Sequence, residues 1–185
     1  MNQQRANDIL QQTRERFADA LRGSAFFRGE LTLIVSRESV LGVLAFLRDT
    51  QGLEFTFPID IAGVDYRDHP KREFSERFAV VYHLLSPNSE DRIRIKAPVP
   101  EDDPTCPSAV GLWSLANWTE REVYDMFGIR FEGHPDLRRI LMWEEFEHFP
   151  LRKDYPLRGL GERDDFAVVA DDFPQAARSR RQEAT

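Results

Sequence analysis

The chain has 185 residues, of which 41% are apolar and 31% charged, so it can form one domain with its own core and an appendage. Its net charge of −7 disfavours nucleic-acid binding, which depends on clustered lysine and arginine. The single cysteine, Cys106, cannot form an internal disulfide or hold a zinc ion or iron–sulfur cluster alone. Because no stretch resembles a signal peptide or a membrane span, we expect a cytoplasmic protein.

The first fifty residues predict a helix, a strand and a second helix. Apolar side chains recur at helical spacing through residues 6–21, which predicts an amphipathic helix that ends near Gly23. A short apolar run at residues 31–35 predicts a strand. Residues 40–47 carry one apolar stripe, which predicts the second helix.

Three strands follow in the sequence. Residues 55–62 alternate between apolar and polar, and Pro58 requires a sheet edge or a bulge. Residues 78–85 are apolar on nearly both faces, as in a central strand. Residues 92–96 have one basic face and are expected to pair antiparallel with the preceding strand. The four prolines of residues 97–107 exclude a helix or a central strand, so we predict a rigid connector there.

A third helix is predicted between residue 108 and Gly128. Residues 112–126 place their apolar side chains on one helical face. A capping box at Thr119 leaves a second possibility open, two short helices that meet at Asn117. The order of elements predicts an α+β fold, with a small mixed β-sheet domain flanked by helices over residues 1–128.

The periodicity fades after this helix, where the chain becomes dense in proline, glycine, histidine, arginine and aromatic residues. We expect residues 129–171 to form an extended, mostly irregular C-terminal arm that wraps a partner protein, with at most a helical turn or two at residues 137–143. Balanced charge with interleaved aromatic residues suits a specific protein interface. Residues 172–185 are predicted to be a polar tail.

The densest titratable cluster on a predicted helix consists of Glu120, Arg121, Glu122 and Asp125. Two neighbouring carboxylates repel each other when both are charged, which raises the pKa of one above that of the other. A general acid and a general base require such a difference in pKa. The alternative is an ion network at a contact with a partner, in which Arg121 and Asp125 pair four residues apart. Because no nucleophile or phosphate-binding loop accompanies the cluster, we favour the ion network.

The histidines give a weak indication of a metal site. His134 and His148 lie among acidic residues, a mixture that zinc accepts. The H-E-x-x-H spacing is absent, however, and Gly-His-Pro around His134 is typical of a turn with a hydrogen-bonding ring. His83 is predicted to be a core histidine and His69 a loop residue. No nucleotide-binding, C-x-x-C or G-x-S-x-G motif is present, so the chain lacks the parts to carry electrons or hydride itself.

Two motifs in the second half resemble those of a known family. They are EREVYDMFGI with GHPDLRRIL at residues 120–141 and HFPLRKDYPL at residues 148–157. Both resemble the signature of the C-type or 30-kDa subunit of respiratory complex I, the proton-pumping NADH:quinone oxidoreductase. The family usually has Gly-His-Pro in the second motif, so Glu147 and Phe149 depart slightly from it. The resemblance covers roughly residues 55–157.

The resemblance implies a cofactor-free, non-catalytic subunit of the hydrophilic arm of that complex. Its main partner would be the large D-type subunit, which helps form the quinone site, with the B-type and I-type iron–sulfur subunits nearby. NADH, FMN, iron–sulfur clusters and quinone would be bound by partner subunits. The chain would lie on the cytoplasmic side of the bacterial inner membrane, held through the complex. Photosynthetic NAD(P)H:quinone complexes, F420H2 dehydrogenases and membrane hydrogenases share these motifs and stay open as alternatives.

We expect no catalytic, cofactor-binding or metal-binding residue in this chain and assign one partner interface. It comprises Glu120, Arg121, Glu122, Asp125, Phe127, Gly128, His134, Pro135, Asp136, Leu137, Arg138, Arg139, Ile140, Leu141, Pro150, Leu151, Arg152, Lys153, Asp154, Tyr155 and Pro156. The acidic and basic residues of the helix would anchor the interface, and the basic residues of the arm would set its register. The rival hypothesis is a stand-alone acid/base or metal-dependent enzyme built on Glu122 and His134.

Overall fold

The computed structural model describes residues 1–70 and 73–162. The helices are α1 (Gln3–Arg16), α2 (Val40–Asp49), which follows a 3-10 turn (Arg37–Ser39), and α3 (Ala116–Phe127). The strands are β1 (Leu21–Phe27), β2 (Glu30–Val35), β3 (Phe57–Asp65), β4 (Phe78–Leu85), β5 (Arg92–Val99), β6 (Thr105–Pro107) and β7 (Arg130–Glu132). The chain divides into two compact units, residues 1–155 and 156–185. Of the second unit, residues 156–162 are described, and they form turns.

Five strands form a mixed sheet in the order β1-β2-β5-β4-β3. Only β2 and β5 run parallel, and the other neighbours are antiparallel. The central position of β4 and its antiparallel pairing with β5 are confirmed. Strand β3 lies at the edge, and its register shifts between Pro58 and Asp60, so the proline has both the edge and the bulge that it requires. The predicted α+β class, with a mixed sheet and an irregular C-terminal arm, is confirmed.

The three helices and one face of the sheet enclose the main core. Ile9 of α1, Leu44 of α2 and Val123 of α3 belong to one buried cluster with Tyr82 and Ile95 of the sheet. Burying side chains of this size stabilises the fold by about 1.5–3 kcal/mol each. The opposite sheet face carries a smaller buried cluster around Tyr66. Helix α3 packs against β3, which places α3 at the edge of the sheet.

The prediction of a first helix up to Gly23 was wrong. Helix α1 ends at Arg16, and the following residues form β1, which pairs with β2 through a turn at Arg28 and Gly29. Both turn residues have positive φ, 51° and 78°, the geometry of a type I′ hairpin. Phe17, a residue of the predicted helix, instead packs edge-on against Phe46 of α2. The Arg-Gly dipeptide is the local sequence signal for this turn.

The connector predicted at residues 97–107 also contains strand structure. Strand β5 continues through Pro98, although proline has no backbone N–H to donate. The pairing of β5 with β2 ends at Lys96, so no β2 residue lies opposite Pro98 to require that N–H. Strand β6 pairs in parallel with β7, a strand that the sequence did not indicate. Both short strands depend on a pairing between segments about 25 residues apart, which local patterns do not reveal.

Helix α3 is one helix rather than two, but the prediction that it begins near residue 108 was wrong, because residues 108–115 form turns and the helix begins at Ala116. Thr119 lies inside it and donates to the carbonyl of Leu115 instead of capping an end. Gly128 ends the helix with φ 76°, as predicted. The helical turns predicted at residues 137–143 are not present. Residues 163–171 of the predicted arm and the predicted tail, residues 172–185, lie outside the described residues.

Candidate functional site: the surface anchored by α3

Residues 129–155, here called the arm segment, belong to the same compact unit as the sheet. Asp125 of α3 holds the centre of this segment. Its Oδ2 accepts the backbone N–H groups of Ile140, Leu141 and Met142 at 3.0, 2.7 and 2.9 Å. Its Oδ1 accepts a hydrogen bond from Arg139 at 2.7 Å. The carboxylate therefore binds a concave turn of backbone, as an anion binds in a nest of amides.

Asp125 stays ionised although its side chain is fully buried. Burial favours the neutral acid, but the three backbone N–H groups and Arg139 outweigh burial and hold the pKa of Asp125 below its ordinary value. Arg139 also donates to the carbonyls of Asp125 and His148. The predicted ion pair between Arg121 and Asp125 was wrong, because Arg139 takes that position.

Arg121 binds the arm segment by a different route. Its guanidinium donates to the carbonyls of Arg138 and Arg139, both at 3.1 Å. The same guanidinium lies over the ring of Trp118, 5.4 Å from its centroid. Arg121 therefore donates its hydrogen bonds within its own chain. The polar residue that was predicted to anchor a partner instead binds the arm segment.

Glu120 points into the core, contrary to its predicted place in a partner interface. It is fully buried, and its two carboxylate oxygens accept from the Ser108 hydroxyl and the Ala109 N–H, both at 2.6 Å. Burial raises the pKa of Glu120 to about 7, against the opposing effect of these two bonds. Sequence periodicity did not show which face of α3 would be covered by the turn at residues 108–115.

Arg152 holds the second half of the arm segment. Its guanidinium lies 4.5 Å from the ring centroid of Phe149 and 5.1 Å from that of Phe78, and its Nε donates to the carbonyl of Phe127 at 2.7 Å. A Cβ on Gly128 would lie 2.6 Å from both Arg152 and Phe149. Glycine is therefore required here for close packing as well as for its positive φ.

A second network, buried at Arg77 and Asp65 and exposed at Asp154 and Glu101, fixes the end of the segment. Arg77 donates to both Asp65 and Asp154, at 2.8 and 2.5 Å, and to Glu101 at 2.5 Å. Asp65 also accepts the backbone N–H of Lys153 at 2.9 Å. Burial raises the pKa of Asp65, but Arg77 and the backbone N–H donors shift it below its ordinary value. Sequence reasoning assigned no role to Arg77 or Asp65, since nothing local links residues so far apart.

His134 does not have the geometry of a metal ligand or a base. Its Nδ1 accepts the N–H of Asp136 at 3.0 Å, so its Nε2 carries the proton and donates to the Asn117 carbonyl at 3.2 Å. Both ring nitrogens are thus occupied by backbone groups, as its turn motif predicted. Within residues 1–70 and 73–162, no three histidine, cysteine or acidic side chains are grouped as metal ligands.

The predicted interface residues divide into two sets. Phe127 and Gly128 are buried, and Arg139, Ile140, Arg152 and Tyr155 are half-buried, so their main contacts are inside the chain. The side chains that face solvent on the segment are those of Pro135, Asp136, Arg138, Leu141, Leu151, Lys153 and Asp154. Leu141 and Leu151 are 62% and 53% exposed. Pro156, in the second compact unit, is exposed too. Whether these residues contact a partner stays a prediction.

The sequence matches the family model described as the respiratory-chain NADH dehydrogenase 30-kDa subunit over residues 33–160. It is 48% identical over 153 residues to the C-type subunit of NADH-quinone oxidoreductase from Citrifermentans bemidjiense, covering 83% of this chain and 91% of the relative. It is 49% identical over 162 residues to the corresponding subunit of Brucella ovis, covering 88% and 77%.

Two solved structures share the fold. A trypsin-resistant fragment of Nqo5 has a TM-score of 0.58 at 39% identity, covering 70% of this chain and 99% of the fragment. A chain of the membrane-bound sulfane sulfur reductase, an archaeal respiratory membrane complex, has a TM-score of 0.67 at 21% identity, covering 92% and 95%. Among the described residues, no helix has the length and apolar character needed to cross a bilayer.

Proposed function

This chain belongs to the 30-kDa subunit family of respiratory-chain NADH dehydrogenase, and we propose that it is a non-catalytic, structural subunit of a proton-translocating NADH:quinone oxidoreductase. It docks on the large D-type subunit, which helps form the quinone site, with the B-type and I-type iron–sulfur subunits nearby. NADH, FMN, iron–sulfur clusters and quinone are bound by partner subunits of the complex and not by this chain. The complex holds it on the cytoplasmic side of the inner membrane.

The observation that carries the proposal is the internal fixation of the arm segment. An irregular segment with exposed leucines and charged groups would lose much conformational entropy on docking if it were free. Here Asp125 fixes its centre, while Arg152 and Arg77 fix its end. The exposed side chains of Leu141 and Leu151 are therefore presented in a preset arrangement, which suits a permanent contact between subunits.

The chemistry of the cluster supports a structural role over the rival enzyme. A general base needs an unoccupied lone pair near the reacting atom. Both nitrogens of His134 are engaged by backbone, and the Asp125 carboxylate is filled by four donors. Only Glu122 remains exposed in the helical cluster, and a single solvated carboxylate does not form a catalytic site. Relatives at 48–49% identity named as subunits of NADH-quinone oxidoreductase favour that complex over the related ones.

The test is a matched pair of apolar-to-acidic substitutions in the tagged chain. The chain is expressed in its native host, and the complex is isolated from the membranes. Leu141→Asp places a charge on the proposed docking surface, and Phe27→Asp places the same charge on a similarly exposed residue at the β1–β2 turn. Burying an unpaired carboxylate in a protein contact typically costs about 2 kcal/mol or more, about thirtyfold in affinity. We expect Leu141→Asp to lose the quinone-oxidoreductase subunits and Phe27→Asp to retain them. Equal recovery with both variants would contradict the proposed docking surface.

A further inference from the structure

A groove of about 210 Å3 lies between the outer edge of β3 and helix α3. It is lined by Asp60, Ile61, Ala62 and Gly63 of β3, by Glu122, Val123, Met126 and Phe127 of α3, and by Leu151 of the arm segment. The groove therefore joins the sheet edge, the helix and the exposed part of the arm segment in one surface.

The β3 side of the groove is an open strand edge. Strand β3 pairs with β4 and has no second neighbour among the strands formed by residues 1–70 and 73–162. No backbone group in the described part of the chain bonds to the outer edge of residues 60–63. Such an edge is a template for an additional strand. Pro58 and the adjacent bulge block pairing at the start of β3, so the free edge accommodates only a short extended segment.

The size of the groove indicates the kind of occupant. Small-molecule sites usually enclose about 300–1,000 Å3, so this groove has room for one large apolar side chain rather than a metabolite. Val123, Met126 and Leu151 give it apolar walls. An extended peptide that inserts one apolar side chain meets both conditions, since alternate side chains of an added strand enter such pockets.

Charge distinguishes between possible peptides. Glu122 lines the groove on its α3 side and is exposed, and its side chain forms no hydrogen bond or ion pair within residues 1–70 and 73–162. This unpaired carboxylate favours a segment that carries lysine or arginine beside its apolar anchor. The chain's own apolar run, residues 166–170, is flanked by Asp165 and Asp171, so like charges would oppose its binding there.

We propose that this groove binds an extended segment of a neighbouring subunit. The segment pairs with the outer edge of β3, inserts one apolar side chain between β3 and α3, and places a lysine or arginine against Glu122. The inference rests on the proposed function, because the neighbour is a subunit of the same complex.

Photo-crosslinking in the assembled complex tests the occupant. Benzoylphenylalanine replaces Leu151 in the tagged full-length chain, and the same group replaces Phe27 as a control on the opposite edge of the sheet. We expect an adduct from position 151 to one peptide of another subunit, with a lysine or arginine within about three residues of the attachment site, since alternate side chains of an added strand face the groove. Position 27 should not label that peptide. An adduct to lipid, to residues 163–185 of this chain or to no peptide would overturn the proposal.

Charge reversal tests the recognition. Glu122→Lys should reduce recovery of the crosslinked subunit by roughly two- to tenfold, whereas Glu145→Lys, at an exposed acid outside the groove, should not. Replacing the partner's basic residue by glutamate should restore recovery with Glu122→Lys. Failure of this rescue would count against the ion pair. If the chain still co-purifies with the NADH-oxidising subunits but the groove stays unlabelled, the proposed function stands and only this site is refuted.

Discussion

The Asp125→Asn substitution keeps the size of the side chain and removes the charge around which the arm segment is folded. In the wild type, one carboxylate oxygen accepts three backbone N–H groups and the other accepts Arg139. Asparagine has one acceptor oxygen and an NH2 group that only donates. Either the three N–H groups or the Arg139 guanidinium must then face the NH2 group of the asparagine, which is a donor and cannot accept their hydrogen bonds.

The size of the effect follows from these contacts. A hydrogen bond to a charged group contributes about 1.5–3 kcal/mol, and removing one partner of a buried ion pair costs about 3–5 kcal/mol. We expect the substitution to weaken the docking of residues 139–142 by about 3–5 kcal/mol. Domains of this size are stable by about 5–15 kcal/mol, so the segment should detach while the sheet remains folded.

Hydrogen exchange of the full chain, followed by mass spectrometry, measures this detachment. Amides of residues 140–142 should exchange at least about a hundredfold faster in Asp125→Asn, as a loss of about 3 kcal/mol or more implies, while those of β4 change little. Asp136→Asn is the control, because Asp136 pairs with Arg138 at an exposed site, where such pairs contribute about 0–1 kcal/mol. Unchanged protection at residues 140–142 in Asp125→Asn would refute the anchoring role of the carboxylate.

The same carboxylate gives a prediction for pH. Because the folded-state pKa of Asp125 lies below its ordinary value of 3.8, its contribution to stability is complete above the unfolded-state pKa. The contribution is lost as the pH falls through the folded-state value. The difference in protection between wild type and Asp125→Asn should therefore narrow in acid, and a difference that widens below about pH 4 would contradict this assignment.

Three further predictions concern the interior. Gly128→Ala should lower the melting temperature more than Gly52→Ala, because both glycines have positive φ but only Gly128 lacks space for a Cβ. The additional loss in the free energy of unfolding should be at least about 1 kcal/mol. Equal effects of the two substitutions would contradict the close packing at Gly128. In the folded chain Glu120 keeps its proton up to about pH 7. The stability that the protonated side chain contributes is therefore complete below the unfolded-state pKa. It has fallen by about 3 kcal/mol once the pH has risen through the folded-state pKa. Glutamine at position 120 does not titrate, so the melting temperature of Glu120→Gln should rise relative to that of the wild type between about pH 5.5 and about pH 8.5. A difference in melting temperature that does not change with pH would refute the buried acid. Burial raises the pKa of Cys106 to about 12, so its thiol should resist a thiol reagent until the chain unfolds, and rapid labelling of the native chain would be inconsistent with the structure.

Local patterns were sufficient for the parts of the fold that depend on local properties. The apolar runs at β2 and β4 and the alternation in β3 predicted those strands, and Gly128 predicted the end of α3. The first hairpin was missed because Leu21, the first residue of β1, also fits the helical spacing of residues 6–21. Its formation depends on pairing with β2, a contact that outweighs local propensity.

The sequence motifs identified the residues of the candidate site but not the bonds between them, and their role as a partner interface stays a prediction. The motif residues of α3 and the arm segment do lie together, yet Asp125 binds residues 14 to 17 positions away. Arg77 joins Asp65 and Asp154 across the fold. From the sequence, Arg139 and Arg152 were expected to set the register of the arm on a partner protein. Only the tertiary arrangement shows that Arg139 and Arg152 bond inside the chain, that Asp154 pairs with Arg77 while it stays exposed, and that Leu141, Arg138 and Lys153 remain on the surface.

The central claim is that this chain acts as a docked subunit through a surface fixed by its own buried charges. The most direct measurement is mass-spectrometric identification of the chains that stay bound to the tagged wild-type protein through membrane solubilisation and size-exclusion chromatography. We expect the large quinone-site subunit and the cofactor-carrying subunits of an NADH:quinone oxidoreductase to elute with it, one copy for each copy of this chain. Elution of the tagged protein as a monomer, free of those subunits, would contradict it.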